Sequence, residues 1–311
     1  MHFRAVLNRG GGTLSTMDID ALSTRLGDAL CEAGHSVDVQ VVDGRKVVET
    51  IRTACRMADT EILLVAGGDG TVSLAAGMLA GTDKTLAILP AGTMNLYARS
   101  LGVPLDLGAA ISALAGGEVL RVDTACVNGR LFVHQFSIGM HPQLIHLRSR
   151  IPFHGRLGKL FASARAGIST FWNPHNLKVA LHMGGAELIT ITSGISVTNN
   201  LFGEGHLPYA DRPDGGVLGI YITRARRRLD LLAFFLNMAM GRWRGNEQVE
   251  IHEADEVKLK ILSAERHFRS AIDGELMPLE REFLIQLWPQ SLKVLVPAKA
   301  EAEGIGSQSS A

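Results

Sequence analysis

The chain has 311 residues, 46% hydrophobic and 20% charged, which is enough apolar material for a large core and, at roughly 150 residues each, for two domains. Lys plus Arg is 31 and Asp plus Glu is 31, so the net charge is zero and a surface devoted to nucleic acid is not expected. Three cysteines without Cys-x-x-Cys spacing exclude a disulfide framework and a four-cysteine zinc site, and they fit a reducing compartment. Met1 to Leu7 has no signal-peptide pattern, and the longest apolar run, Leu229 to Met240, is too short to span a bilayer.

In chain order, Phe3 to Leu7 reads as a buried strand ending at Asn8 and Gly10-Gly11-Gly12. A helix is predicted from about Met17 to Ala33, closed by Gly34. A second strand over Val37 to Val42 and a second helix over 45–57 follow. The third strand, Glu61 to Val65, enters Gly67-Gly68-Asp69-Gly70-Thr71; a helix then runs to Leu79, and a strand covers Leu86 to Leu89. This strand–helix alternation implies a parallel sheet with right-handed crossovers. Beyond about Val119 the pattern becomes short strands at 119–127, 131–138, 177–183, 187–198, 217–223, 249–252, 256–262, 268–272 and 283–288, with turns such as Asn128-Gly129 and Asp214-Gly215. Helical inserts are expected near 156–170 and 229–241. The small, polar tail from Ala298 to Ala311 is read as disordered.

Three Gly-rich turns stand at the C-terminal ends of predicted parallel strands, where open α/β sheets bind ligands: Asn8 to Gly12, Gly67 to Thr71, and Pro90 to Thr93. Glycine there lets backbone N–H groups approach phosphate oxygens, and the helix that follows favours negative charge. One such turn is most simply a tight connection; three at equivalent positions point to phosphate. No Gly-Lys-Ser/Thr occurs, so this is not a Walker loop. The eleven histidines, His134, His141, His146 and His154 among them, show no metal-ligand spacing and are read as structural or surface residues.

Gly67-Gly68-Asp69-Gly70-Thr71 resembles the nucleotide-binding signature shared by diacylglycerol, sphingosine, ceramide and NAD kinases and phosphofructokinases. The segment Leu89-Pro90-Ala91-Gly92-Thr93-Met94-Asn95-Leu96-Tyr97-Ala98-Arg99 resembles, more specifically, that of bacterial lipid kinases of the diacylglycerol kinase catalytic-domain family. Asn128-Gly129, Ser137-Ile138-Gly139, Asp214-Gly215-Gly216 and Asp273-Gly274-Glu275 follow in the family order.

The resemblance implies an α/β nucleotide-binding domain over 1–122, completed by about 290–300, and a β-sandwich-like lipid domain over 123–289, with the active site in the cleft between them. It implies an ATP- and Mg²⁺-dependent kinase acting on the primary hydroxyl of a membrane lipid. Asn8, Arg9, Gly10, Gly11, Gly12, Gly67, Gly68, Asp69, Gly70, Thr71 and Val72 would line ATP, with Thr93 and Asn95 beside its phosphates. Asp211, Asp214 and the Gly216 backbone would hold Mg²⁺, and either Glu275 or Asp69 would be the proton acceptor. A lipid hydroxyl does not ionise near neutrality, so such a base has physical work to do.

Val42, Ser73, Leu74 and Leu96 depart from the family pattern. Leu96, where diacylglycerol kinases usually carry Asp, leans the acceptor from diacylglycerol towards ceramide or a sphingoid lipid. The alternatives are an NAD kinase-like soluble enzyme and a non-catalytic nucleotide- or lipid-binding member.

Arg224, Arg226, Arg227 and Arg228 precede an apolar helix with Phe234 and Phe235, closed by Trp243. That arrangement suits an anionic membrane surface. Ile151-Pro152-Phe153 with Arg148, Arg150 and Arg156 is a second candidate contact. The expected place is therefore the cytoplasm, peripherally on the inner face of the membrane, with a homodimer possible and no nucleic-acid partner.

Overall fold

The computed structural model describes residues 1–150, 176–203, 207–225, 229–231, 234, 237, 247–263 and 269–298. The predicted helix at 156–170, much of that at 229–241, and the tail beyond 298 lie outside them.

Strands β1 (His2–Asn8), β2 (Ser36–Val42), β3 (Ile62–Gly67) and β4 (Thr85–Pro90) pair in parallel in the order β2-β1-β3-β4. Every residue of β3 and β4 is buried, which is why they appear in the sequence as unbroken apolar runs. Helix α1 (Ile19–Glu32) starts where the Asp18 carboxylate accepts the N–H groups of Asp20 and Ala21, each at 3.1 Å. Its Ile19, Leu22, Leu26 and Leu30 recur at helical spacing and are all buried, a contribution of about 1.5–3 kcal/mol per side chain. Helices α2 (Val47–Arg56) and α3 (Asp69–Leu79) follow the second and third strands. Two further helices, α4 (Leu96–Ser100) and α5 (Leu107–Ala115), lie where the sequence suggested no element. The cap of α5 is Asp106, which accepts the Ala109 N–H at 2.8 Å.

The second half is antiparallel. Its strands are β5 (Glu118–Val127), β6 (Arg130–Phe132), β7 (Gln135–Gly139), β8 (Leu177–Met183), β9 (Ala186–Thr192), β10 (Gly194–Asn199), β11 (Leu218–Thr223), β12 (Val249–Ala254), β13 (Glu256–Ile261), β14 (Arg269–Ile272), β15 (Glu275–Pro278) and β16 (Glu282–Val296). Six of them form one sheet, β12-β11-β10-β7-β14-β15; the others extend the parallel sheet through β16, β13, β8 and β9. The two sheets enclose a second core in which Phe136 of β7 meets Phe283 of β16, ring centroids 4.8 Å apart. An α/β domain and a β-sandwich result, as the motifs implied. The strand expected over 131–138 is broken, because the N–H groups of Val133, His134 and Gln135 turn to the Asp273 carboxylate instead of a neighbouring strand. That expected over 187–198 is two strands, separated at Ser193.

β16 belongs to both halves. It pairs with β13 over Glu282 to Gln286, then continues to lie parallel to β4 at Lys293 and Val294. Its partner along the way, β5, changes register between Trp288 and Leu292, where Gln290 has φ 48°. Asp123 of β5, 1% exposed, holds this irregularity by accepting the Gln290 N–H at 2.8 Å. Its other carboxylate oxygen accepts the Gly216 N–H at 2.8 Å. Replacing Asp123 with Ala leaves both N–H groups without their acceptor; urea unfolding should show a loss of about 2–4 kcal/mol.

Candidate functional site

Strand order places a topological switch point between β1 and β3, since the chain leaves β1 for one edge of the sheet and β3 for the other. Three loops meet there. The Thr13 N–H donates to the Ala91 carbonyl at 2.8 Å, and the Ala91 N–H to the Gly67 carbonyl at 3.0 Å. The backbones are too close for side chains: a Cβ on Gly92 would lie 2.5 Å from the Gly68 Cα, and one on Gly12, at φ +40°, 2.2 Å from the Ala91 oxygen. Asn8 closes the first loop by accepting the Gly10 N–H at 3.1 Å. Arg9, Gly10, Gly12, Gly70 and Thr93 are exposed at the rim, Gly11, Gly68 and Thr71 are half-buried, and Val72 is buried in the core. The result is a meeting of side-chain-free backbone at the start of α3, where N–H groups could approach phosphate oxygens.

Asp69 ties this cradle to α4. Its two carboxylate oxygens accept the N–H groups of Asn95 (3.0 Å) and Leu96 (2.7 Å). Asn95, left-handed at φ 50°, closes the turn: its side chain accepts the Gly92 N–H at 2.8 Å and donates to the Gly92 carbonyl at 3.1 Å. Asn95 is thus a scaffold for the loop, its side chain engaged with the backbone.

The second half reaches the cradle through the turn between β14 and β15. Asp273, at φ 45°, accepts the Ser73 hydroxyl of α3 at 2.6 Å and the N–H groups of Val133, His134 and Gln135 at 2.9–3.0 Å. Burial pushes its pKa up, against the pull of those four donors. Two residues on, the Glu275 carboxylate stands over Gly70, with Oε1 3.7 Å from where a Gly70 Cβ would be. Glu275 is exposed, and among the described residues no hydrogen bond or ion pair engages its carboxylate. Asp69 and Glu275 therefore flank the same helix start, one spent on backbone and one free.

Three residues have places at this junction that the sequence reading did not give them. Asp123 is one and Ser73 another: as a departure from the family pattern it suggested a loss, yet its hydroxyl bridges the two halves. His134 is the third. Its imidazole lies in the field of Asp69, and burial lowers its pKa to about 4 against that attraction. His141 is likewise lowered to about 4, by burial and then by His134.

Asp211 and Asp214 are exposed on the loop whose Gly216 N–H is taken by Asp123. All available donors there are oxygens, which suits a hydrated Mg²⁺. Among the described residues no three His, Cys, Asp or Glu side chains form a metal cage, so waters and carbonyls would complete such a site.

Of the proposed membrane residues, Arg226, Arg227, Arg228, Phe235 and Trp243 lie outside the described residues, as do Ile151, Pro152, Phe153 and Arg156. Arg224 is paired with Glu250, its Nε donating at 2.8 Å. Phe234 packs on Met140, Ala225 and Leu231, while Leu229 is 76% exposed. No helix among the described residues is long and apolar enough to cross a membrane.

The model of the diacylglycerol kinase catalytic domain matches residues 2–127, and that of the YegS C-terminal NAD kinase beta sandwich-like domain matches residues 157–296. A diacylglycerol kinase of Mycobacterium tuberculosis is 30% identical over 76% of the chain and 77% of its own length. An uncharacterised protein of Synechocystis is 25% identical over 85% of the chain but 62% of its own length. The solved structure of a diacylglycerol kinase from Bacillus anthracis superposes with a TM-score of 0.70 at 18% identity, covering 95% of this chain and 96% of that one, a likeness of fold.

Two outcomes follow from the geometry. Gly92→Ala must displace the Gly68 backbone, so ATP affinity measured by calorimetry should fall at least tenfold, about 1.4 kcal/mol. The unfolded chain binds protons on His134 and His141 from their ordinary 6.5 downwards, whereas the folded protein does so only near 4. Their stabilising share is complete above pH 6.5 and lost as pH falls towards 4. Asp273, with its raised pKa, works in the opposite sense above 3.8. Thermal unfolding should therefore show Tm dropping between pH 6.5 and 4, and His141→Gln should flatten that slope.

Proposed function

The chain belongs to the diacylglycerol kinase catalytic-domain family, and on that premise we propose that it is a lipid kinase moving the γ-phosphoryl group of ATP to the primary hydroxyl of a membrane lipid, of diacylglycerol or ceramide/sphingoid type. The observation that carries this reading is the free Glu275 carboxylate over Gly70, at the mouth of a glycine cradle built for phosphate. Bound ATP with Mg²⁺ would supply the phosphoryl group and the charge neutralisation that its transfer requires.

The chain's own residues do the rest. The backbone of the Asn8 to Gly12, Gly67 to Thr71 and Pro90 to Thr93 loops orients the phosphates, and the N-terminus of α3 favours their charge. Glu275 would take the hydroxyl proton as the acceptor oxygen bonds to the γ-phosphorus and the bond from that phosphorus to the bridging oxygen breaks, ADP leaving. Asp69, with both oxygens on backbone N–H groups, fixes the turn at Asn95 and so the height of Thr93 beside the phosphates. Asp211 and Asp214 are the carboxylates best suited to a hydrated Mg²⁺. The half-buried Leu96 offers an apolar side chain that tolerates either a diacylglycerol or a ceramide-type acceptor. The enzyme would meet that lipid peripherally, on the anionic cytoplasmic face of the membrane, where the exposed Leu229 can enter the interface.

The test is transfer of labelled γ-phosphate to a detergent-dispersed panel of diacylglycerol, monoacylglycerol, ceramide, sphingosine and NAD. Label on one lipid is expected. Label on NAD alone would replace this reading with an NAD kinase, and ATP binding without label on any acceptor would replace it with a binding protein. Glu275→Gln should cut kcat by about 10²–10⁴ with ATP affinity unchanged. Asp69→Asn should lower both kcat and ATP affinity, because an amide places a donor against one of two N–H groups.

A further inference from the structure

The two buried histidines of the junction are not alike. His141 spends its ring nitrogens inside the protein: Nδ1 is 2.8 Å from the Ser137 hydroxyl, and Nε2 is 3.3 Å from the Gln135 amide. His134 does not. Its Nε2 is buried and has no hydrogen-bond partner among the described residues, although its backbone is fully committed, the N–H to Asp273 and the carbonyl to the Asn199 N–H at 3.0 Å. The ring is held in place by stacking on Phe202, centroids 5.3 Å apart and planes 28° apart. Its backbone shares Asp273 with Ser73 of α3, which places the residue beside the first turns of that helix, and the residue as a whole is half-buried.

A buried nitrogen without a partner costs roughly 1–3 kcal/mol, and a phenyl ring could stack on Phe202 without that cost. A polar atom kept at such a place, beside the phosphate cradle, is accounted for by a partner that arrives with the substrate. We propose that His134 Nε2 accepts a hydrogen bond from the acceptor hydroxyl, holding that oxygen for phosphoryl transfer and selecting lipids that carry a free primary hydroxyl. The proposal rests on the lipid kinase reading. It makes His134 an acceptor-contacting residue; the proton still leaves to Glu275.

The test compares His134→Phe, which keeps the stacking and removes the nitrogen, with His134→Gln, which keeps an acceptor atom at similar reach. For His134→Phe the acceptor kcat/KM should fall about tenfold while the KM for ATP stays within twofold. The same variant should unfold a few degrees higher than the wild type, since an unsatisfied buried group is gone. His134→Gln should recover the acceptor kcat/KM to within about threefold. In protein labelled with ¹⁵N-histidine, the His134 Nε2 resonance should move when dioctanoylglycerol or a short-chain ceramide is added without ATP.

If the wild type phosphorylates a lipid, and either His134→Phe does so with unchanged constants or the Nε2 resonance stays still with that lipid, the assignment of His134 is overturned and the kinase reading stands. A wild type that labels no lipid overturns the kinase reading, and the assignment falls with it.

Discussion

One buried carboxylate organises the junction. Asp273 gathers the Ser73 hydroxyl from α3 and three successive N–H groups from the link between β6 and β7. Taking a carboxylate out of water is expensive unless its oxygens are filled, and four donors fill them here. The geometry that satisfies Asp273 has consequences on every side. It breaks what would be one strand at 133–135, it holds the turn that brings Glu275 over Gly70, and it fixes the backbone from which His134 projects. Through Asp273 the turn that carries Glu275 is bonded to α3, and so to the glycine loop at the start of that helix.

Asp123 performs the same service one layer away. It secures β16 where that strand passes from the sandwich into the parallel sheet, and it secures the loop carrying Asp211 and Asp214. Its backbone carbonyl accepts the Asn199 side chain at 2.8 Å, and the backbone N–H of Asn199 meets His134. Two acidic residues, one in β5 and one in the turn between β14 and β15, thus tie the two halves together. Neither needs to touch a substrate for the chemistry to depend on it.

The parallel half was legible because its signals are local. Unbroken apolar runs at Ile62–Gly67 and Thr85–Pro90, helical spacing from Ile19 to Leu30, and glycines at the turns each carry their own instruction. The close meeting of the glycine turns was readable for the same reason, since each turn follows directly on its strand. What the sequence hid was long-range pairing. Ser73 and Asp273 are 200 residues apart, and nothing in either neighbourhood names the other. Asp123 sits in a strand pattern where an acid looks like an exposed alternation, yet it is buried because two N–H groups arrive from 93 and 167 residues away. The short α4 was missed because its start is set by the Asp69 carboxylate, not by a capping residue of its own. Arg224 and Phe234, read as a membrane face, have partners within the fold that only the tertiary arrangement supplies.

On the proposed reading either carboxylate could serve as the base, and their surroundings differ. A carboxylate whose two oxygens each accept a fixed N–H has its orientation decided before any substrate arrives, and drawing a proton to it would weaken the bonds that hold α4. Asp69 is in that position; Glu275 is not, being exposed and, among the described residues, unengaged. The division also accounts for Leu96. Asp69 uses only the backbone N–H of that residue, so the side chain is under no obligation to be polar. An apolar residue can stand there without loosening the turn that Asp69 holds.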